Sequence, residues 1–443
     1  MINPPPPSLL SRRRFLRTGA AATLPLMLPQ RVLGASSSAR ALQVGIVGGG
    51  TRCNAHAHGF SAIPGVRVVA VCDVWPQRAT TAKRMIDPLN GGSDCKTYHD
   101  FRELIADPAV DLVTVAVPDH WHALVAIEAA NRGKSIYLEK PFAYSVREGR
   151  AIIQAVERNG VMLQNGTQQR SIAHFQRATM LARLGHLGEV DRVYAIAPSG
   201  PLDGDPTPIT PPAGLDYDFF TGPAPTTPYV KGLADRAGTP GWYFLSAFSG
   251  GWITAWGSHH LDSAQWALGK DHEAPVRVEA RGSRPPGGAW DTVWDWYAEF
   301  TYADGKKLIY LSDNRPECPD APGNVVILGS KGWASASRGG FASNPPHLAR
   351  LTLPQDDPEF QQLQSGGDAH HYLNFIDAIR HGTRQNAPLA VGHLSTSLCH
   401  LANIAIETQR PLHWNGANES FLGDPQANRL LGRPLRAPWR LSV

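Results

Sequence analysis

Short apolar runs alternate with helix signals across residues 41–165, and this alternation predicts a doubly wound parallel α/β sheet with right-handed crossovers. A glycine turn between the first run and the first helix makes the sheet the Rossmann, dinucleotide-binding kind. Beyond residue 275 strand-like runs cluster and are joined by close turns, which predicts an α+β domain with a large, mostly antiparallel open sheet. The expected layout is a targeting signal and linker over 1–40, the Rossmann domain over 41–165, the α+β domain over 166–415 and a surface tail over 416–443.

Leu42–Val47 is a short apolar strand ending at Gly48-Gly49-Gly50, with a helix from about Ala55. As G-x-G-x-x-G the turn reads Gly48, Gly50 and Cys53, the last a small residue where the third glycine packs helix on strand. The first two glycines let a pyrophosphate approach the helix N-terminus, beside Thr51 and Arg52. A second strand, Val66–Cys72, ends in Asp73, 25 residues after Gly48, where a carboxylate binds adenosine ribose hydroxyls and repels a 2′-phosphate. NAD is therefore expected over NADP. Asp73 is equally placed to cap a helix ahead of Pro76.

Leu112–Val117 reads as a buried strand, Trp121–Asn131 as a helix stopped by Gly133, and Ser135–Leu138 as the next strand. Ser145 and Glu148 form a capping box that opens a helix reaching Asn159, with Gly160 past its end. Val161–Leu163 makes the last strand of this part. A helix over Ile172–Leu184 and a strand over Val190–Ile196 follow, and then residues 198–240 carry ten prolines, which excludes a long helix or central strand. That stretch is expected to be an ordered loop over the active face. Strands are expected at Val276–Ala280, Val293–Tyr302, Lys307–Leu311 and Val325–Leu328, and amphipathic helices at Ala369–Arg380 and Ser395–Glu407. Asp368-Ala369-His370-His371 reads as a solvated helix start.

The formal charge of +4 misleads, because residues 1–40 hold six arginines and no acid, and the remainder carries 36 basic against 38 acidic residues. No basic footprint for nucleic acid remains. Five scattered cysteines without a Cys-x-x-Cys pair read as small buried hydrophobes, neither a disulfide frame nor a zinc site. Ser11-Arg12-Arg13-Arg14-Phe15-Leu16-Arg17, followed by a weakly apolar stretch from Thr18 to Pro29, has the order of a twin-arginine export signal. The apolar part is too short and proline-broken for a membrane span, and cleavage is expected near Gly34-Ala35 or after Ala39. The expected location is periplasmic or otherwise exported, with the twin-arginine machinery as a partner. Because that route carries folded proteins, a cofactor is expected to be inserted first and to stay tightly bound.

Two stretches carry the chemistry. Glu139-Lys140-Pro141 follows the strand Ser135–Leu138 at the carboxyl edge of the sheet, where open α/β folds bind ligands, and the proline biases Lys140 toward an extended backbone. Gly250-Gly251 leads to His259, His260 and Asp262 at the start of a helix ending near Leu268. Oxidising a sugar carbinol requires a group to take the hydroxyl proton and a cation to stabilise alkoxide charge; a histidine and a lysine facing each other across a cleft do both. The plainer alternatives are that His259 and His260 cap a helix, or hold a metal with Asp262. Trp242, Tyr243, Trp252 and Trp256 are either sugar-stacking platforms or core anchors.

Gly48 to Cys53, Asp73, Glu139-Lys140-Pro141 and the run from Gly250 to Asp262 together resemble the family of glucose-fructose oxidoreductase and inositol dehydrogenase (Gfo/Idh/MocA). Pro118-Asp119-His120-Trp121-His122, Gly166 to Arg170, Ala264 to Gly269 and Asn428 to Leu431 resemble its exported bacterial branch. The resemblance implies Lys140 as the catalytic lysine and His259 as the proton-transferring histidine. It also implies NAD at Gly48, Gly50, Thr51, Arg52, Asp73, Pro118, His120, Glu139, Lys140 and Gln168, and substrate at Arg170, Trp256, His260 and Asp262. No metal and no nucleic acid are implied, and a homo-oligomer is expected by family analogy alone. The family pattern usually has an aspartate four residues before the histidine, where this chain has Ala255.

Three functions follow as expectations. The first is an exported NAD(P)-dependent sugar or glycoside oxidoreductase whose cofactor is regenerated in place, since no free nicotinamide pool is expected outside the cytoplasm. The second is an NAD-dependent glycoside hydrolase that oxidises a ring carbon transiently, eliminates the aglycone and reverses the oxidation. The third is a catalytically silent sugar-binding protein, for which Ala255 is the only support.

Overall fold

Six parallel strands stand in the order β3-β2-β1-β4-β5-β6, the order that places a dinucleotide site between β1 and β4, where the winding reverses. The computed structural model describes residues 40–236, 238–353 and 366–442, so the export signal expected near residues 11–17 lies outside the described residues. From Ala41 onward the chain packs as one compact unit. The strands are β1 (Leu42–Val47), β2 (Val66–Cys72), β3 (Lys96–Tyr98), β4 (Leu112–Val115), β5 (Ser135–Leu138) and β6 (Leu163–Asn165). Their apolar runs are continuous because both faces are covered. Helices α1 (Thr51–Ser61) and α2 (Pro76–Leu89) cover one face, and α3 (Phe101–Ala106), α4 (His122–Asn131) and α5 (Val146–Asn159) the other. The expected capping box opens α5: the Ser145 hydroxyl accepts from the Glu148 amide at 3.3 Å, and Gly160 closes the helix at φ +61°.

Nine strands form the second sheet, in the order β13-β12-β11-β7-β10-β9-β8-β14-β15, all antiparallel except the β7–β10 pair. Its members are β7 (Val190–Ala197), β8 (Arg277–Ser283), β9 (Asp295–Thr301), β10 (Lys307–Ser312), β11 (Val325–Gly329), β12 (Gly332–Ser337), β13 (Gly340–Asn344), β14 (Leu412–Asn415) and β15 (Ser420–Phe421). Alternate residues such as Trp296, Phe300, Leu308 and Tyr310 point into one core beneath α6 (Ala173–Arg183), α9 (Gly257–Leu268) and α11 (Leu389–Thr408). The proline-rich stretch holds one short helix, α7 (Tyr217–Thr221), and a β-bridge between Pro208 and Val230. Its aromatic residues pack with Phe248 and Trp290, so the loop has a core of its own.

Three features differ from the sequence expectation. Helix α10 (Asp368–His381) packs on the first sheet, where Tyr372, Phe375 and Ile376 join the core formed by Val44, Ile46 and Tyr137. Gly59 of α1 makes this approach possible: a Cβ there would lie 2.2 Å from the Tyr372 ring. The tail after residue 415 is pinned down by β15, by α12 (Pro425–Arg429) and by Trp439, whose ring centroid lies 4.7 Å from that of Trp121. Finally, α11 is long and apolar enough to cross a membrane, and it is mostly buried inside the protein, between α9 and the nine-stranded sheet.

Candidate active site

The carboxyl ends of β1, β2, β4 and β5 open into a cleft of about 660 Å³, closed on its far side by residues of the second domain. That volume falls in the range of roughly 300–1,000 Å³ usual for small-molecule sites. At one end stands the glycine turn. Gly48 adopts φ +108°, and a Cβ there would lie 2.3 Å from the carbonyl oxygen of Ala116 beyond β4, so the two central strand ends approach only because it is glycine. Gly50 faces open space. Helix α1 then begins with no capping side chain and no acid in its first turn, leaving the positive end of its dipole toward the cleft. Asp73 accepts from the amides of Gly49 and Trp75, each at 2.8 Å. Burial pushes its pKa up, and Arg78 with the two amides offsets part of that. The expected fit for a dinucleotide is met by this turn, this uncapped helix and this carboxylate. The third fingerprint position, Cys53, is buried against the sheet, and burial pushes its thiol up to about 12.

Glu139 organises the middle of the cleft. Its Oε1 accepts from Arg52 Nε at 2.6 Å, His56 Nε2 at 2.9 Å and Gln168 Nε2 at 3.1 Å. Burial opposes its ionisation, but Arg52 and His56 outweigh that and hold it well below the usual carboxylate range. Arg52 also pairs with Asp368 at 2.9 Å, so the first turn of α10 closes the same network. The Lys140–Pro141 peptide is cis, and the Lys140 ammonium lies 5.3 Å from the centroid of the Tyr243 ring. Burial pushes the Lys140 pKa down; Glu139 and Asp119 oppose this, while Arg52 and Arg338 add to it. His122 ties the loops after β4 and β5 together, with Nδ1 2.6 Å from the Pro141 carbonyl and Nε2 3.0 Å from that of Val117.

Across from Lys140, His259 projects from the first turn of α9, one turn beyond α8 (Trp252–Ala255). Burial, Arg338 and Lys140 hold it well below the ordinary histidine range, so the imidazole is neutral at pH 7, and its buried Nδ1 has no hydrogen-bond partner. Trp242, Tyr243, Trp252 and Trp256 all face the cleft, as does the methyl of Ala255.

Of the residues singled out in the sequence, Gly48, Gly50, Thr51, Arg52, Asp73, Pro118, Glu139, Lys140, Gln168, Trp256 and His259 line this one cleft. The others do not. Buried Arg170 binds buried Asp262 at 2.7 Å and half-buried Asp271 at 2.8 Å, so the substrate role expected of Arg170 and Asp262 is replaced by mutual charge neutralisation. His120 is buried with Nε2 donating to the Phe220 carbonyl at 2.9 Å, and holds the loop rather than facing a cofactor. His260 is buried beneath Trp256, its pKa pushed down to about 3 by burial and by Arg338. The Asp368–His371 segment is solvated at its start, as expected, with Asp368 and Ala369 exposed, and Asp368 also lines the cleft; His371 alone is buried, bonded to Ser171 and the Asn165 carbonyl.

Sequence reasoning missed His56, Asp119, Arg338 and Asp368. His56 had a signal, since it follows Arg52 by four residues on one helix face. Asp119 sits behind the cleft wall, bonded by the Ser249 hydroxyl at 2.7 Å, and burial pushes its pKa up to about 7 against the pull of that bond and of Lys140. Arg338 and Asp368 had none, being delivered by the β12–β13 turn and by α10. Among the described residues no group of three or more His, Cys, Asp or Glu is arranged to hold a metal.

Comparison with known proteins agrees with this geometry. Residues 42–167 match the NAD-binding Rossmann fold of the Gfo/Idh/MocA oxidoreductases, and residues 202–441 match their C-terminal alpha/beta domain. The uncharacterised oxidoreductase YrbE of Bacillus subtilis is 23% identical over 351 residues, 78% of this chain and 87% of that protein. Inositol 2-dehydrogenase of Salmonella typhimurium is 32% identical over 150 residues, 33% of this chain and 43% of its own length. An alpha-N-acetylgalactosaminidase of Shewanella oneidensis is 26% identical over 219 residues, 42% of this chain and 47% of its own. The chain thus spans less than half the length of these last two. Levoglucosan dehydrogenase, solved with NADH and levoglucosan, superposes with a TM-score of 0.62 at 18% identity, over 84% of this chain and 99% of that one. Two domain matches that together span nearly all of the described residues settle the assignment: the chain belongs to the Gfo/Idh/MocA oxidoreductase family.

Proposed function

We propose that the chain is an exported, NAD-dependent oxidoreductase of a sugar or glycoside hydroxyl. The observation that carries this is the placement of Lys140 and a neutral His259 in the cleft that begins at the Gly48 turn. Asp73, held by two backbone amides at the end of β2, favours ribose hydroxyls over a 2′-phosphate and so NAD over NADP. A bound nicotinamide supplies the hydride acceptor there. The His259 imidazole takes the hydroxyl proton, and Lys140, in its ammonium form, stabilises the alkoxide charge as the carbon loses its hydride. Glu139 does no proton transfer in this scheme; anchored by Arg52, His56 and Gln168, it fixes the strand end that carries Lys140. Tyr243, Trp252 and Trp256 offer apolar faces to a sugar ring and keep water away from the reacting carbon.

The twin-arginine pattern at Ser11–Arg17 supports export, and export in turn supports a cofactor that stays bound and is regenerated in place. A second reading, NAD-dependent glycoside hydrolysis by transient oxidation and elimination, is supported by the partial likeness to the galactosaminidase. Adding free sugars and chromogenic glycosides to the purified protein separates the two. Growth of the reduced-nicotinamide signal without aglycone release supports oxidation; aglycone release without net redox change supports hydrolysis. Lys140→Ala is expected to lower either rate by about 10²- to 10⁴-fold; unchanged rates would remove Lys140 from the reaction.

A further inference from the structure

The end of the cleft next to His259 carries a positive charge that no carboxylate of the described residues neutralises. Arg338 stands at the β12–β13 turn with its guanidinium carbon 5.4 Å from the centroid of the Trp256 ring, and both residues line the cleft beside His259. The two cleft carboxylates whose charge reaches Arg338, Asp368 and Glu139, are already engaged by Arg52 at 2.9 Å and 2.6 Å. His259 and His260 are both held neutral, in part by Arg338 itself, and Ala255 adds no charge to the cleft wall. Lys140 lies on the same side of the balance. Arg338 is itself solvent-exposed, and a ligand that displaced its water would leave it with no free anion among the described residues, a cost that falls when the ligand supplies the anion. The guanidinium is also pre-positioned, since stacking on Trp256 limits the conformations it must give up when it binds.

From this we infer that the substrate of the proposed reaction carries an anionic group, a carboxylate or a phosphate, that pairs with Arg338 at the Trp256 end of the cleft while its reacting hydroxyl reaches Lys140 and His259. The inference rests on the oxidoreductase reading above and narrows it to acidic sugars. A planar carboxylate on the ring, as in a uronate, and a phosphate at the anomeric carbon, as in a glycosyl phosphate, share this chemistry and are distinguished by experiment.

Two readouts on the intact protein test it. In the first, glucose, glucuronate and glucose 1-phosphate, with the matching galactose set, are titrated against the intrinsic fluorescence of the cleft tryptophans, a measurement that needs no turnover. In the second, kcat/KM is measured for the same set. At least one acidic member is expected to bind about 10- to 100-fold more tightly than its neutral counterpart, the gap expected of a charge-assisted hydrogen bond. That gap is expected to shrink with added salt and to collapse toward one in Arg338→Gln, with Arg338→Lys intermediate. Preference for the uronate or for the phosphate identifies which anion is recognised. Equal binding of neutral and acidic sugars, or a preference that survives Arg338→Gln, overturns the inference while leaving the oxidoreductase reading in place. Tight, Arg338-dependent binding of an acidic sugar without any change in the nicotinamide signal overturns that reading and leaves the anion site standing.

Discussion

Asp119 and Lys140 are coupled through a short stretch of interior, and their titrations give the site its pH signature. Lys140 acts as a cation only below its lowered pKa, so the alkaline limb of kcat/KM is expected to fall below the 10.5 of an ordinary lysine. The carboxylate of Asp119 raises that pKa, so Asp119→Asn should move the limb further down. The same variant has a stability signature of its own. Asp119 holds its proton up to about pH 7 when folded, against an ordinary value of 3.8. Protonation therefore favours the fold, fully below about pH 4, and that contribution is lost as pH rises toward 7. Asp119→Asn cannot ionise, so its Tm should exceed the parent's at pH 8 and converge with it only near pH 4, with a gain of up to about 1.4 kcal/mol per pH unit across the window between. A constant difference between the two proteins would place Asp119 in a wetter setting. At this scale the sequence made Lys140, His259, Gly48 and Asp73 legible, because each sits at a strand end or helix start whose local signal is strong. Arg338 and Asp368 were not, since only tertiary packing brings a hairpin turn and a helix start to Arg52 and Trp256.

At the level of elements, the polar run after β6 shows why charge alone misleads. Gly166 to Arg170 and the start of α9 looked like two substrate contacts, but Arg170, Asp262 and the half-buried Asp271 close on one another and join α9 to the segment that leads into α6. Arg170→Met should leave the buried carboxylate of Asp262 unpaired and lower stability by about 3–5 kcal/mol, with KM changed little at a temperature where the variant is folded. A large rise in KM at unchanged Tm would return Arg170 to the substrate. The C-terminal tail makes a different kind of contact: Arg433 pairs with Glu148 at 2.8 Å, Arg436 with Asp218 at 2.6 Å, and Trp439 packs on Trp121 and Phe219, which line the cleft. Ending the chain at Leu431 is expected to weaken NAD binding about 10-fold, as two aromatic contacts worth about 0.5–1.5 kcal/mol each are lost from behind the cleft wall. Isothermal titration of the truncated chain checks this. Most central strands and long helices could be placed within a few residues from their apolar periods. Strand β12 and the edge strand β13 could not, because their sequences, Gly-Trp-Ala-Ser-Ala-Ser and Gly-Phe-Ala-Ser-Asn, are poor in the branched residues that mark a strand, and pairing of β12 to β11 and of β13 to β12 supplies what propensity does not.

For the molecule as a whole, the two sheets meet at one cleft because each sends its chemistry to the same edge: Lys140 from the end of β5, His259 from α9 beneath the second sheet, Arg338 from its hairpin. The fold class was readable from alternation and the glycine turn. The boundary between domains was less so, since α10 and the tail return to the first sheet after an excursion of some two hundred residues, and long-range return leaves no periodic trace. In the proposed reaction the cleft moves a hydride between a sugar carbon and a bound nicotinamide with Lys140 at the reacting oxygen. Sugars deuterated at their carbinol carbons, incubated with the purified protein, put that to the test when the bound cofactor is extracted and weighed by mass spectrometry. Deuterium is expected on the nicotinamide ring in the parent protein and none in Lys140→Ala; a cofactor that stays unlabelled with every acidic and neutral sugar, or label that persists without Lys140, would rule the reaction out.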